Sequence, residues 1–71
     1  MIGLYAPIRT TVAVPALGLE LGARGVVVDV YDAPYPAYEI EFIDEAGDTI
    51  GCLSLRQSEV VADAHPLRRA A

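Results

Sequence analysis

Apolar and acidic side chains alternate one by one in the segment YEIEFID, residues 38–44. A period of two places Tyr38, Ile40 and Phe42 on one face of a β-strand and Glu39 and Glu41 on the other. A helix would distribute both sets around its surface, so the pattern favours a strand with one buried side. The chain is therefore expected to fold around a sheet that has an apolar face and an acidic face.

A second segment, GVVVDVY at residues 25–31, has the same period and is rich in β-branched residues. It predicts a strand in which Val26, Val28 and Val30 point into the shared core, while Asp29 and Tyr31 face outward together with Val27. Gly25, at the start of this strand, is suited to a bulge or to close contact with a neighbouring backbone.

The rest of the chain predicts three further strands. Residues 8–14 form the first, because Pro15 has no N–H to continue a ladder. The long loop that follows is expected to pack its alternating leucines beneath the sheet: Leu17, Leu19 and Leu21. Residues 49–56 form the fourth strand, with a bulge or bend near Gly51, and residues 60–62 form the fifth.

The turns between these strands also follow from the residue types. The segment DAPYPAY, with two prolines, must turn. DEAGD, residues 44–48, predicts a hairpin connection in which Gly47 supplies the left-handed residue. The segment QSE at residues 57–59 predicts a single 3₁₀ turn.

This order of elements predicts an all-β fold, a small five-stranded SH3-like barrel with a one-turn 3₁₀ helix before the last strand. The barrel is assigned to residues 1–62, and residues 63–71 are expected to form a flexible C-terminal tail. An OB-fold is the nearest alternative. It usually needs longer strands and a helix between the third and fourth, for which this chain has no room.

Charge and length limit the classes of function. Ten acidic residues against five arginines give a net charge of -5, so phosphate backbones are repelled on average and nucleic-acid binding is disfavoured. The chain has no apolar run of the roughly 18 residues that a membrane span requires, and its N-terminus lacks the basic region of a signal peptide. A cytoplasmic location is expected.

A core this small gains stability from self-association, so a homodimer through an open barrel edge is predicted.

Residues capable of catalysis or metal binding are few. Cys52 is expected to be an inert, half-buried strand residue, because the only histidine, His65, falls in the expected tail. Asp44, Glu45 and Asp48 lack the ligand spacing of a calcium loop and favour a polar turn. No catalytic residue, metal site or cofactor is predicted, and the protein is expected not to be an enzyme.

The acidic strand face is the main candidate for a binding surface. Asp29, Glu39 and Glu41 form either a plain solvated face or a docking surface for a basic protein. Tyr31 and Tyr35 lie around two prolines, and tyrosine with proline offers rigid contact area at low entropic cost. These five residues are the predicted protein-binding site.

The segment from the Gly-Leu loop at residues 18–19 to the QSEV turn resembles a family of small bacterial domains, the domain of unknown function 4926 (DUF4926). The shared features are the Gly-Val-Val strand, the YEIEF strand, the D-x-x-G-x-T turn at residues 44–49 and the final L-x-L at residues 53–55. The resemblance covers residues 11–61 and implies an SH3-like barrel without assigned catalytic residues. The Pro-Tyr-Pro stretch before Tyr38 and the arginine-containing C-terminal segment depart from the family pattern.

Two hypotheses of function follow. Some members of the resembled family look like the neutralising half of toxin–antitoxin or toxin–immunity pairs, which implies an interaction module whose partner is a basic toxin encoded by a neighbouring gene. Gly25 and the valines after it also resemble the KOW motif of SH3-like domains in ribosomal and transcription factors. That resemblance implies RNA or ribosome binding as the alternative, although the basic residues such proteins use are missing.

Overall fold

The computed structural model describes residues 2–64, and the elements in this range are five β-strands and two one-turn 3₁₀ helices. The strands are β1 (Pro7–Thr10), β2 (Arg24–Tyr31), β3 (Ala37–Ile43), β4 (Thr49–Arg56) and β5 (Val60–Ala62). The 3₁₀ turns are η1 (Pro15–Leu17) and η2 (Gln57–Glu59), the second of which directly precedes β5. The predicted all-β fold is confirmed. Residues 2–64 contain no helix with the length and apolarity needed to cross a bilayer.

The five strands form one antiparallel sheet in the order β4-β3-β2-β1-β5. This order is that of the predicted SH3-like barrel, in which the last strand returns to pair with the first. The sheet is open, because β4 and β5 stand at its two ends and each pairs with a single neighbour. The free edge of β4 is eight residues long and contains neither proline nor lysine.

The core is built from cross-strand rows of β2, β3 and β4, together with the buried side chains of Ile8, Val14 and Val60. Three rows point inward, and their central members are the buried side chains of β3, which are 2% exposed at Tyr38 and 0% exposed at Ile40 and Phe42. Burying apolar area of this kind is the main stabilising term of a small domain. The inward orientation predicted for these three residues is confirmed. The inward rows are Val30–Tyr38–Leu55, Val27–Ile40–Leu53 and Gly25–Phe42–Gly51.

The prediction for the valines of β2 is wrong at three positions, because it places Val26 and Val28 in the core and Val27 outside it. Val27 is the fully buried member and Val30 packs against the core, whereas Val26 and Val28 do not belong to the core cluster. The cause is a β-bulge: Val27 pairs with Ile40 and Asp29 pairs with Glu39, so Val28 has no partner and the side-chain phase reverses. Period-two counting fails wherever such an extra residue is inserted.

Two glycines allow close packing inside the fold. A Cβ built on Gly25 would lie 2.5 Å from Cγ2 of Ile40 and 2.9 Å from the carbonyl oxygen of Glu41, so the predicted close contact with a neighbouring backbone is confirmed. Near Gly51 the register shifts, because Phe42 pairs with Gly51 while Ile43 pairs with Thr49. This is the bulge predicted at that point.

The region between β1 and β2 differs from its prediction in two respects. The first strand ends at Thr10 rather than at residue 14, and Val14 instead forms an isolated bridge with Leu19 that closes the turn around η1. Leu17 and Leu19 pack against the core as predicted, but Leu21 is 71% exposed. The alternation of leucines fails because Leu21 lies in a turn, outside any strand.

The described chain ends just after β5. Asp63 is buried, its backbone N–H donates to the carbonyl oxygen of Pro7, and its Oδ1 accepts a hydrogen bond from Nε of Arg9 at 3.2 Å. These bonds fix the end of β5 against β1. Most of the predicted tail, residues 65–71, lies outside the described residues.

Candidate protein-binding face

The outward-pointing residues of β2, β3 and β4 form one continuous surface, which we call the outer face. It is organised in cross-strand rows that alternate with the core rows, because successive residues of a strand point to opposite sides of the sheet. Four of the five predicted site residues belong to these rows. The outward rows are Tyr31–Ala37–Arg56, Asp29–Glu39–Ser54 and Val26–Glu41–Cys52.

The central row brings two carboxylates together. Asp29 and Glu39 are paired directly across β2 and β3, an arrangement in which like charges destabilise a sheet. Oε1 of Glu39 accepts hydrogen bonds from Oγ of Ser54 at 2.6 Å and from the hydroxyl of Tyr31 at 3.4 Å. Both donors are neutral, so the negative charge is held in place without being compensated. Within residues 2–64, neither carboxylate takes part in an ion pair.

Glu41 extends the negative charge along β3. Its Oε2 accepts a hydrogen bond from Oγ1 of Thr49 at 2.5 Å, and its side chain is partly buried. As on Glu39, the donor is a hydroxyl group. The outer face therefore presents three carboxylates on two adjacent strands, and those of Glu39 and Glu41 are oriented by side-chain hydroxyl donors.

Tyr31 borders this charged row. Partial desolvation of its phenol, together with the negative charges of Glu39 and Asp29 and the hydrogen bond to Glu39, raises the pKa of Tyr31 above its ordinary value. The phenol therefore stays neutral and remains a donor to Glu39 over the physiological range. Its ring is 37% exposed, which leaves apolar area beside the carboxylates.

Tyr35 lies in the turn between β2 and β3 and reaches the same end of the face. The guanidinium carbon of Arg56 lies 4.4 Å from the centre of its ring, a cation–π contact that orients both groups. Tyr35 is 42% exposed. The sequence predicts Tyr35 as a site residue, but Arg56, Ser54 and Thr49 become recognisable only once the β3–β4 register is known.

The expectation that Cys52 is half-buried is wrong. Cys52 is exposed on the outer face, opposite Glu41, rather than half-buried in the strand. The phase shift at Ile50 turns Cys52 outward and brings Leu53 and Leu55 inward. The prediction for His65 lies outside the described residues.

Metal coordination gains no support from the described part of the chain. Residues 2–64 contain no cluster of three or more histidine, cysteine, aspartate or glutamate side chains arranged to hold an ion. At the β3–β4 hairpin, Oδ1 of Asp44 accepts backbone hydrogen bonds from Ala46 and Asp48, each at 2.9 Å. Gly47 adopts φ +87°, the left-handed conformation predicted for this turn. The carboxylate of Asp44 thus accepts hydrogen bonds from the backbone of its own hairpin turn.

Comparison with known proteins identifies the family. The chain matches the family model described as Domain of unknown function (DUF4926) over residues 4–62. This match covers most of the chain, which therefore belongs to that family, and the resemblance noted from the sequence is confirmed. Neither the comparison with curated proteins nor the comparison with solved structures found a significant match.

Proposed function

For this DUF4926 domain we propose the role of an acidic, non-enzymatic, cytoplasmic interaction module that binds a basic protein through its outer face. The contact residues are the five predicted from the sequence, with Arg56 as an additional edge residue. The observation that supports this function most strongly is the direct pairing of Asp29 with Glu39. Such a pair costs stability in the isolated domain, and a cationic side chain from a partner would remove that cost.

The chemistry of the face suits a protein partner. Carboxylates attract lysine and arginine side chains and speed the encounter of the two proteins, while the exposed rings of Tyr31 and Tyr35 offer area for apolar contact. The partner we propose is a toxin encoded by an adjacent gene, with this chain as its antitoxin or immunity protein. Enzymes that cleave nucleic acids bind phosphates through basic surfaces, and an acidic sheet face is complementary to such a surface.

Co-expression with the neighbouring gene product tests this function. The face variant carries Asp29→Asn, Glu39→Gln and Glu41→Gln, which lowers the magnitude of the net charge of -5 by three. A control variant carries three substitutions of the same charge change at exposed positions away from the face: Glu20→Gln, Glu45→Gln and Asp48→Asn. The unchanged chain and the control should co-purify with the neighbour and rescue cells from it, whereas the face variant should fail in both assays.

Two results would contradict the proposal. One is equal co-purification of the face and control variants, because binding would then depend on net charge or on another surface. The other is retention of RNA by the unchanged chain on a filter at low salt, which would favour the KOW-type alternative. Phosphate contacts are strongest under that condition, so an absence of retention there argues against RNA binding.

A further inference from the structure

A second feature lies away from the acidic residues of the outer face, where β1 meets β2. Arg9 and Arg24 are directly paired across these two strands. Paired residues of an antiparallel ladder have Cβ atoms about 4.5–5.5 Å apart and project to the same side, so two positive charges are held together. Because the chain has ten acidic residues and only five arginines, an arginine is more readily expected beside an acidic residue than beside another arginine.

The two guanidinium groups differ in their contacts. Nε of Arg9 donates to Oδ1 of Asp63 and Nη1 donates to the carbonyl oxygen of Gly22, each at 3.2 Å, so Arg9 is fixed in position. Within residues 2–64, the side chain of Arg24 has no hydrogen-bond or ion-pair partner, although the residue is partly buried. Its donors are therefore available to a ligand, beside Arg9, whose charge is partly compensated by its ion pair with Asp63.

Both arginines line a cleft of about 720 Å³ between the loop that follows β1 and the β3–β4 hairpin. The walls include the apolar side chains of Leu19, Ile43 and Ile50, and Ile50 is 39% exposed. A concave site with apolar walls and a few convergent polar donors is typical of small-ligand recognition.

The acidic residues of the cleft limit the charge of the ligand. Asp44 and Glu45 also line it, but Oδ1 of Asp44 accepts two backbone N–H groups of its own turn. The negative charges of Asp44 and Glu45 repel a doubly charged phosphate more strongly than a singly charged carboxylate. The apolar walls favour an organic acid over a small inorganic ion.

We propose that this cleft binds a carboxylate attached to an apolar group, with the carboxylate on Arg24 and Arg9 and the apolar part against Leu19 and Ile50. Two sources carry this chemistry: a free small acid and the carboxyl-terminal residue of another polypeptide. The site is separate from the Asp29–Glu39–Ser54 row of the outer face and does not depend on the proposed protein partner.

An NMR titration of the isotope-labelled full chain tests the site, with 3-phenylpropionate as the probe. We expect it to shift the amide signals of Gly22, Ala23, Arg24 and Ile50 and to bind at least about tenfold more weakly to the Arg24→Gln variant. Arg56→Gln removes the same charge outside the cleft and should leave the affinity unchanged. Acetate, which lacks the apolar part, and 3-phenylpropanamide, which lacks the charge, should each bind more weakly than the acid.

Absence of shifts around the cleft, equal affinity of the amide and the acid, or equal affinity of Arg24→Gln and the unchanged chain would each overturn the proposal. A second variant, Ile50→Ser, tests the apolar wall and should weaken 3-phenylpropionate without affecting acetate. Acetyl-Gly-Leu with a free carboxylate separates the two sources. Tighter binding than that of 3-phenylpropionate assigns the site to a polypeptide carboxyl terminus, and weaker binding assigns it to a small acid.

Discussion

Replacing Asp29 by asparagine should stabilise the isolated domain, because Asp29 and Glu39 are paired directly across β2 and β3. Two charges roughly 6 Å apart repel by about 0.7 kcal/mol in water. At physiological salt, where the Debye length is about 8 Å, roughly half of that remains. Oδ1 of Asp29 accepts a hydrogen bond from the backbone N–H of Val30 at 2.8 Å, and the amide oxygen of asparagine can keep it. We expect the free energy of unfolding to rise by about 0.3–0.7 kcal/mol.

Urea and thermal unfolding measure this effect, and the melting temperature should rise by about 1–5 °C for a domain of this size. The gain should disappear in the Glu39→Gln background and shrink in 1 M NaCl, where the Debye length is about 3 Å. Asp32→Asn removes the same charge from a residue outside the strands and should change stability less. A loss of stability, or a gain that persists in the Glu39→Gln background, would refute the claim that these two carboxylates repel each other.

Three further predictions test other parts of the structure. Gly25→Ala should lower the free energy of unfolding by about 1–3 kcal/mol in urea titrations, because the new Cβ would meet Ile40 and backbone, whereas Gly3→Ala, with open space around it, should change it little. The folded state raises the pKa of Tyr31 above its ordinary value of about 10, so the neutral phenol stabilises the fold below that pH and this stabilisation is lost as pH rises through the folded pKa. Between pH 9 and pH 11 the unchanged chain should therefore lose more stability than Tyr31→Phe. Equal losses would contradict a raised pKa of Tyr31. The free edge of β4 predicts a homodimer, so light scattering at micromolar concentration should give twice the 7.6 kDa of one chain, and a mass of one chain at every concentration would exclude it.

The sequence alone was sufficient to predict the elements whose side-chain pattern is uninterrupted. β3 alternates without a break, so the sequence correctly predicts Tyr38, Ile40 and Phe42 in the core and Glu39 and Glu41 on the opposite face. The last strands and the 3₁₀ turn between them also match their predicted bounds, because proline-free apolar stretches flank a polar triplet.

The failures occur where backbone geometry interrupts a pattern. In β2 the bulge at Val28 reverses the phase, so Val27 rather than Val26 enters the core. Nothing in a run of three valines identifies which one is the extra residue. The alternation of apolar and acidic residues predicts that Glu39 and Glu41 share a face. The pairing of Asp29 with Glu39, however, depends on that bulge and on the turn before β3. The arginine pair could not be found from sequence, because residues 9 and 24 meet only through the β1–β2 register.

If the partner binds the outer face, that face is covered in the complex, and Cys52 offers a direct probe of it. Cys52 is the only cysteine of the chain, and it is exposed on that face opposite Glu41. Its alkylation by iodoacetamide can be followed by mass spectrometry in the free protein and in the complex with the neighbouring gene product. A chain with Cys52→Ser and Leu21→Cys provides the control, because Leu21 is 71% exposed and lies in the loop after β1. We expect the complex to slow alkylation at position 52 at least tenfold and to leave position 21 unaffected. Equal rates at position 52 with and without the partner would contradict binding through the outer face.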